Sequence, residues 1–248
     1  MQIDLTLVLG TFFVFIASFV RSVTGFGYML VATPLLMLVM APKTVVVLNN
    51  FLGIITNLTV LWYMRRHIDF RKFVFLSLGS ILGIPPGAYL LSILDPTVIK
   101  LAVAIVVIPF AVLLLSGHSR RFQRETPGCI AAGFAGGVLT TSVSIGGPPV
   151  VLFLLNQGLV KERFVGVIAA VGFLMNVAGA VTFSSMGLVT TDILWNVVLF
   201  LPFLWLGIYL GTKVLPRIPP ALFRRIALTL LSLTALVNIV TVITELIS

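Results

Sequence analysis

Arg21 stands among apolar residues, where a guanidinium costs at least about 2.5–3.5 kcal/mol unless it snorkels or finds a partner. It heads the stretch Arg21-Ser22-Val23-Thr24-Gly25-Phe26-Gly27. Ser22 and Thr24 bring hydroxyl donors, while Gly25 and Gly27 allow backbone N–H groups to approach a guest and form a concave nest. The same chemistry returns 120 residues later in Ser142-Val143-Ser144-Ile145-Gly146-Gly147. A ring of such donors suits an oxyanion, which has several strong acceptors. A short helix starting after each glycine pair would aim its positive end at the same guest, and Pro34 and Pro148-Pro149 fit half-helices of this kind. The acidic residues Asp4, Asp69, Asp95, Glu125, Glu162, Asp192 and Glu245 all fall at segment ends or in loops. A bound anion is therefore the partner that Arg21 invites. Two plainer readings stand beside this one: Arg21 reaching a headgroup layer or capping helix carbonyls, and Gly and Ser serving only to let helices pack closely.

Asn49, Asn50, Asn57 and Asn176 also lie inside apolar runs. Asn57 and Asn176, 119 residues apart, either line a path from opposite sides or bond between helices. Gly83, Pro85, Pro86, Gly87, Gly207 and Gly211 read as close-packing or hinge positions rather than ligand contacts. His67 and His118 sit in basic loops, and Trp62, Trp195, Trp205 and Tyr63 read as interface or packing residues. Cys129 is the single cysteine and there are two histidines, so the sequence supplies no metal site and implies no cofactor.

The elements that must hold these residues are membrane helices. The 248 residues are 59% hydrophobic and 9% charged, against roughly 25% charge in soluble domains. This excludes a soluble enzyme. The net charge of +9 sits in short clusters between apolar runs, which reads as membrane topology rather than nucleic-acid binding. Apolar runs fall at about 3–20, 28–41, 44–64, 73–93, 98–115, 129–144, 148–156, 164–186, 192–211 and 222–247. The first lacks a basic start and a small-residue cleavage site and reads as a retained span. A crossing takes roughly 20 residues, so 28–41 and 148–156 are too short to span as straight helices. Each follows a Ser/Thr/Gly-rich interruption, and short broken segments at corresponding positions of two halves point to a transporter's binding site.

Further matches follow nearly the same offset: Leu82-Gly83 with Leu206-Gly207, Gly87 with Gly211, Lys43 with Lys161, and Lys100 with Arg224. The expected architecture is an all-α polytopic membrane protein of two inverted-topology repeats, each a broken-helix hairpin followed by three transmembrane helices. The halves are 1–116 and 129–248, joined by a basic cytoplasmic linker, 117–128. Of 16 Lys and Arg, 13 fall near 65–72, 120–124, 161–163 and 213–225, which places those loops in the cytoplasm and both termini outside.

The sequence resembles the TauE/SafE family of sulfite or organosulfonate exporters. The resemblance rests on Thr24-Gly25-Phe26-Gly27 with Pro34-Leu35-Leu36, and on Ser144-Ile145-Gly146-Gly147-Pro148-Pro149 in the second half. It extends over nearly the whole chain in length and layout, although the family's longer glycine run is reduced here to Gly25/Gly27 and Gly146/Gly147. It implies transport of sulfite, sulfoacetate or related sulfonates, whereas composition and spacing alone reach only a small anion. No ionisable relay lies in the spans apart from Arg21, so proton coupling through a carboxylate is disfavoured. Moving one negative charge outward releases roughly 2.3 kcal/mol per 100 mV, enough to drive export from a bacterial inner membrane by alternating access. The implied partners are the anion, the bilayer and a second copy in a homodimer. Sodium- or proton-coupled uptake of the same anions, and a non-transporting membrane scaffold, are the rival readings.

Overall fold

A computed structural model describes residues 5–24, 26–116 and 125–214 of the chain. Gly25, the basic 120–124 loop, most of the 213–225 loop, Arg224 and the last apolar run, 222–247, lie outside the described residues. So does the side chain of Thr24.

The described residues are helical throughout, with no strand. The elements are α1 (Leu5–Thr24), α2 (Tyr28–Leu36), α3 (Pro42–Met64), α4 (Phe70–Ile93), α5 (Pro96–Ser116), α6 (Glu125–Val143), α7 (Gly147–Asn156), α8 (Lys161–Ser185) and α9 (Thr191–Val214). A short 3-10 turn, Arg65–His67, links α3 to α4. Each of the first nine apolar runs has become one helix. Five of these, α1, α3, α4, α8 and α9, are long and apolar enough to cross a membrane, and the chain is an integral membrane protein.

The two short runs are short helices of nine and ten residues, roughly 14–15 Å each. Run 28–41 breaks early because the chain tightens after Leu36, where Leu38 and Val39 donate to the carbonyls only three residues back, those of Leu35 and Leu36, and α3 then starts afresh on Pro42. Pro148 and Pro149 occupy the first turn of α7, where their missing N–H groups had no helical acceptor. Pro34 differs. It is the seventh residue of α2 and has no N–H to give the Leu30 carbonyl. Glu125 opens α6 from within the stretch read as linker, and Pro127 is tolerated in that first turn.

Close helix pairs are made by glycines that leave no room for a Cβ. Gly79, Gly83 and Gly87 of α4 lie against the backbone of α6 near Ile130, Phe134 and Val138, while Gly133 and Gly137 answer against Leu76 and Ser80. The order along both helices increases together, so α4 and α6 run parallel. Gly207 and Gly211 of α9 lie likewise against Phe15, Ser18, Phe19 and Ser22, so α1 and α9 run parallel as well. In contrast, α3 and α8 cross antiparallel at the centre: Gly53 meets Asn176, Gly172 meets Asn57, and Gly166 meets the carbonyls of Met64 and His67.

Charge is sorted along this frame. Arg65, Arg66, Arg71 and Lys72 lie where α3 ends and α4 begins, and the start of α8 with Arg163 packs beside the same turn. Asp69 caps α4 by accepting from the Lys72 N–H at 3.2 Å, and the Lys72 ammonium pairs with Glu125 at the start of α6. At the opposite end Lys43 donates to the Ser92 carbonyl at 2.8 Å.

Candidate anion site

Arg21 is held in the last turn of α1 with only 7% of its surface exposed. One Nη2 donates to Asn57 Oδ1 at 2.6 Å, which ties α1 to α3. Asn57 comes within reach of Arg21 while packing over Gly172, which has no side chain to obstruct it. Its counterpart Asn176 packs over Gly53 and accepts from Asn50 Nδ2 at 3.4 Å. Thus Gly53 with Asn57 and Gly172 with Asn176 form one motif used twice, Gly-x-x-x-Asn, at the same 119-residue offset. Reading the asparagines alone misses the glycines, although the shared offset was there to find them.

A cavity of about 620 Å³, counting the space at its mouth, opens beside this crossing. Arg21, Asn57 and Asn176 line it, together with Gly27, Gly146 and Gly147. It is bordered by the first turns of both short helices, through Tyr28, Met29 and Leu30 of α2 and Pro148 and Val150 of α7. First-turn N–H groups have no acceptor within their own helix. In α2 these belong to residues that can all donate; in α7 two of the positions are proline. The donor-rich first turn at the cavity is therefore that of α2. Gly27 turns the chain into α2 at φ 95°, a left-handed conformation that a side chain would resist.

Of the sequence-derived candidates, Arg21, Gly27, Asn57, Asn176, Gly146 and Gly147 come together around the cavity. Ser22 and Ser142 turn their hydroxyls back onto their own helices, to the carbonyls of Ser18 at 2.9 Å and Val138 at 2.7 Å. Asn50 stands behind Asn176, outside the lining. Ser144 is fully buried at the end of α6, and its Oγ has no hydrogen-bond partner. Its φ of 62° is left-handed. Here Ile145 N–H reaches the Leu139 carbonyl and Ser144 N–H the Thr140 carbonyl, a helix ending that usually places glycine where Ser144 stands. Asn49 serves packing: it donates to Thr33 Oγ1 at 3.1 Å and faces the Tyr28 hydroxyl, pinning α2 to α3. Tyr28 and the cavity methionines Met29 and Met175 were not among the sequence candidates, because apolar and aromatic residues in a membrane helix carry no distinguishing signal.

Membrane-length helices surrounding a cavity with one buried cation, met by two interrupted helices, define a membrane transporter of small anions. The chain belongs to the TauE/SafE family of sulfite exporters, whose family model matches residues 10–237. Members of that family are transporters rather than enzymes. No curated protein and no solved structure matches the chain.

Proposed function

We propose that the chain exports sulfur-containing anions, with sulfite, sulfoacetate and related sulfonates as the class to test, by alternating access driven by the membrane potential. The observation that carries this reading is the placement of buried Arg21 on the wall of the cavity at which the first turns of α2 and α7 converge. The anion is received by the Arg21 guanidinium, the Asn57 and Asn176 amides and the N–H groups that begin α2, with Gly146 and Gly147 closing the opposite wall. Ser22, Ser142, Ser144 and Asn50, together with Thr24 and Gly25, complete the proposed binding set.

Inverted repeats supply the alternation. In support, α1, α2, α3 and α4 have 20, 9, 23 and 24 residues against 19, 10, 25 and 24 in α6, α7, α8 and α9. The equivalent helices α3 and α8 also run antiparallel. The basic end, with Arg65–Lys72 and Arg163, faces the cytoplasm by the positive-inside rule, which puts the start of α1 outside. The membrane is the inner membrane of a bacterium.

Efflux of one negative charge is favoured by roughly 2.3 kcal/mol per 100 mV, a concentration ratio of about fiftyfold. In proteoliposomes holding labelled sulfite, efflux rises when a potassium diffusion potential makes the interior negative and falls when the potential is reversed. Efflux indifferent to the sign of the potential refutes electrogenic export.

A further inference from the structure

The two asparagines on the cavity wall are held from behind by different donors. Asn57 Oδ1 accepts from the Arg21 guanidinium at 2.6 Å. A guanidinium has donors only, so this amide must turn its oxygen to Arg21 and its Nδ2 away. In the second half the 120-residue offset puts Thr141 at the place of Arg21. Its hydroxyl is engaged with the Ile84 and Gly137 carbonyls at 2.9 and 3.0 Å, and it leaves Asn176 without the donor that Asn57 has. Asn50 of α3 supplies one instead. Its Nδ2 lies over Gly179 beside the Thr141 methyl and donates to Asn176 Oδ1 at 3.4 Å. Among the described residues, no protein group accepts from the Nδ2 of Asn57 or of Asn176, and both residues line the cavity.

Asn50 makes its bond at a cost. The residue is fully buried, and its own Oδ1 has no hydrogen-bond partner. A leucine would fill a similar volume in the membrane interior without an unmet acceptor, so the amide is explained by what its Nδ2 does. An Asn176 that met the cavity with its oxygen would repel an anion, whereas one whose oxygen is held from behind offers N–H donors. Resting on the anion-carrier reading above, we propose that Asn50 is a positioning residue: by donating to Asn176 Oδ1 it keeps Asn176 Nδ2 as the group presented to the anion. It does for Asn176 what Arg21 does for Asn57. Asn50 stands outside the lining of the cavity and acts on the guest through Asn176.

A double-mutant cycle on the purified full-length chain tests this, because residues that work through one another give non-additive losses. Sulfite binding is measured by calorimetry for the unaltered chain, Asn50→Leu, Asn176→Ala and the double variant. Asn50→Leu is expected to weaken sulfite about three- to tenfold, the range of one ordinary hydrogen bond, and Asn176→Ala about tenfold or more, since that bond meets a charge. In the Asn176→Ala background, Asn50→Leu is expected to change affinity by less than about 1.5-fold. Unfolding midpoints of the same variants separate positioning from support of the fold: Asn50→Leu should bind more weakly with its midpoint level. Asn50→Ala carries the same cycle should leucine not fit over Gly179. Equal losses from the Asn50 variant in both backgrounds, no loss in either, or an affinity loss that tracks a lowered midpoint would overturn the positioning role while leaving the anion carrier intact. Absence of sulfite binding by the unaltered chain overturns the carrier reading itself.

Discussion

Arg21 and Ser144 each occupy a place that a cheaper residue would fill, and each therefore makes a sharp test. The Arg21 guanidinium is kept in the membrane by the 2.6 Å bond to Asn57, and hydrogen bonds to a charged group are worth about 1.5–3 kcal/mol. Asn57→Ala should therefore lower stability by about that amount in equilibrium unfolding from detergent micelles. Arg21→Gln keeps a polar donor but removes the charge; it should reduce anion binding at least tenfold without loss of the fold, and unchanged binding would take Arg21 out of the site. Ser144 is strained at φ 62° with a buried, unpartnered hydroxyl, and a left-handed side-chain residue costs roughly 1–2 kcal/mol. Ser144→Gly relieves that strain, so it should raise the unfolding midpoint. If the hydroxyl meets the anion in another state of the cycle, the same variant slows flux; flux equal to wild type would assign Ser144 to the hairpin's structure alone.

At the scale of elements, the sequence made visible what depends on apolar length and on punctuation. Nine described helices follow nine apolar runs, and the two too short to cross are the ones whose first turns reach the cavity. The duplicated Ser/Thr/Gly stretches were legible as well, although Ser22 and Ser142 bond back to their own helices and the cavity is lined by the glycines that follow. What was not legible is which apolar faces meet. A hydrophobic helix shows no outward face in its sequence when lipid and protein interior are equally apolar, so Met29 and Met175 could not be told from lipid-facing residues. Glycine spacing is the exception, since Gly79, Gly83 and Gly87 mark one face of α4. A Cβ at Gly83 meets the Phe134 carbonyl and at Gly137 the Ser80 carbonyl, both backbone atoms that cannot swing aside. Gly83→Leu or Gly137→Leu should therefore push α4 from α6 and cost at least about 1–3 kcal/mol, read as a lowered unfolding midpoint. Gly147→Ala, whose Cβ meets nothing, should leave the midpoint in place.

At the scale of the molecule, the tightest pairs do not respect the two halves of the sequence. α4 of the first half is locked to α6 of the second, and α9 of the second to α1 of the first, each along parallel helices with glycine at the contact. Such contacts are backbone against backbone and resist sliding, because moving one helix past the other brings a side chain where only glycine fits. The α3 and α8 crossing is different: at its centre Gly53 and Gly172 receive asparagine amides, which can rotate and exchange partners. If the carrier alternates, the bodies that move are consequently α1 with α9 and α4 with α6, each carrying a short helix from its own hairpin, and the pivot is the crossing of α3 and α8. Disulfide pairs distinguish this from rocking of the sequence halves. A crosslink between cysteines introduced beside the contact of Gly83 in α4 with Phe134 in α6 should leave flux within about twofold of the reduced protein, since it joins parts that already move together. A crosslink between α3 and α8 near Met64 and Gly166 should stop flux reversibly, with recovery on reduction. Loss of flux from the first crosslink together with tolerance of the second would mean that the pieces in motion are the two halves as the chain is written.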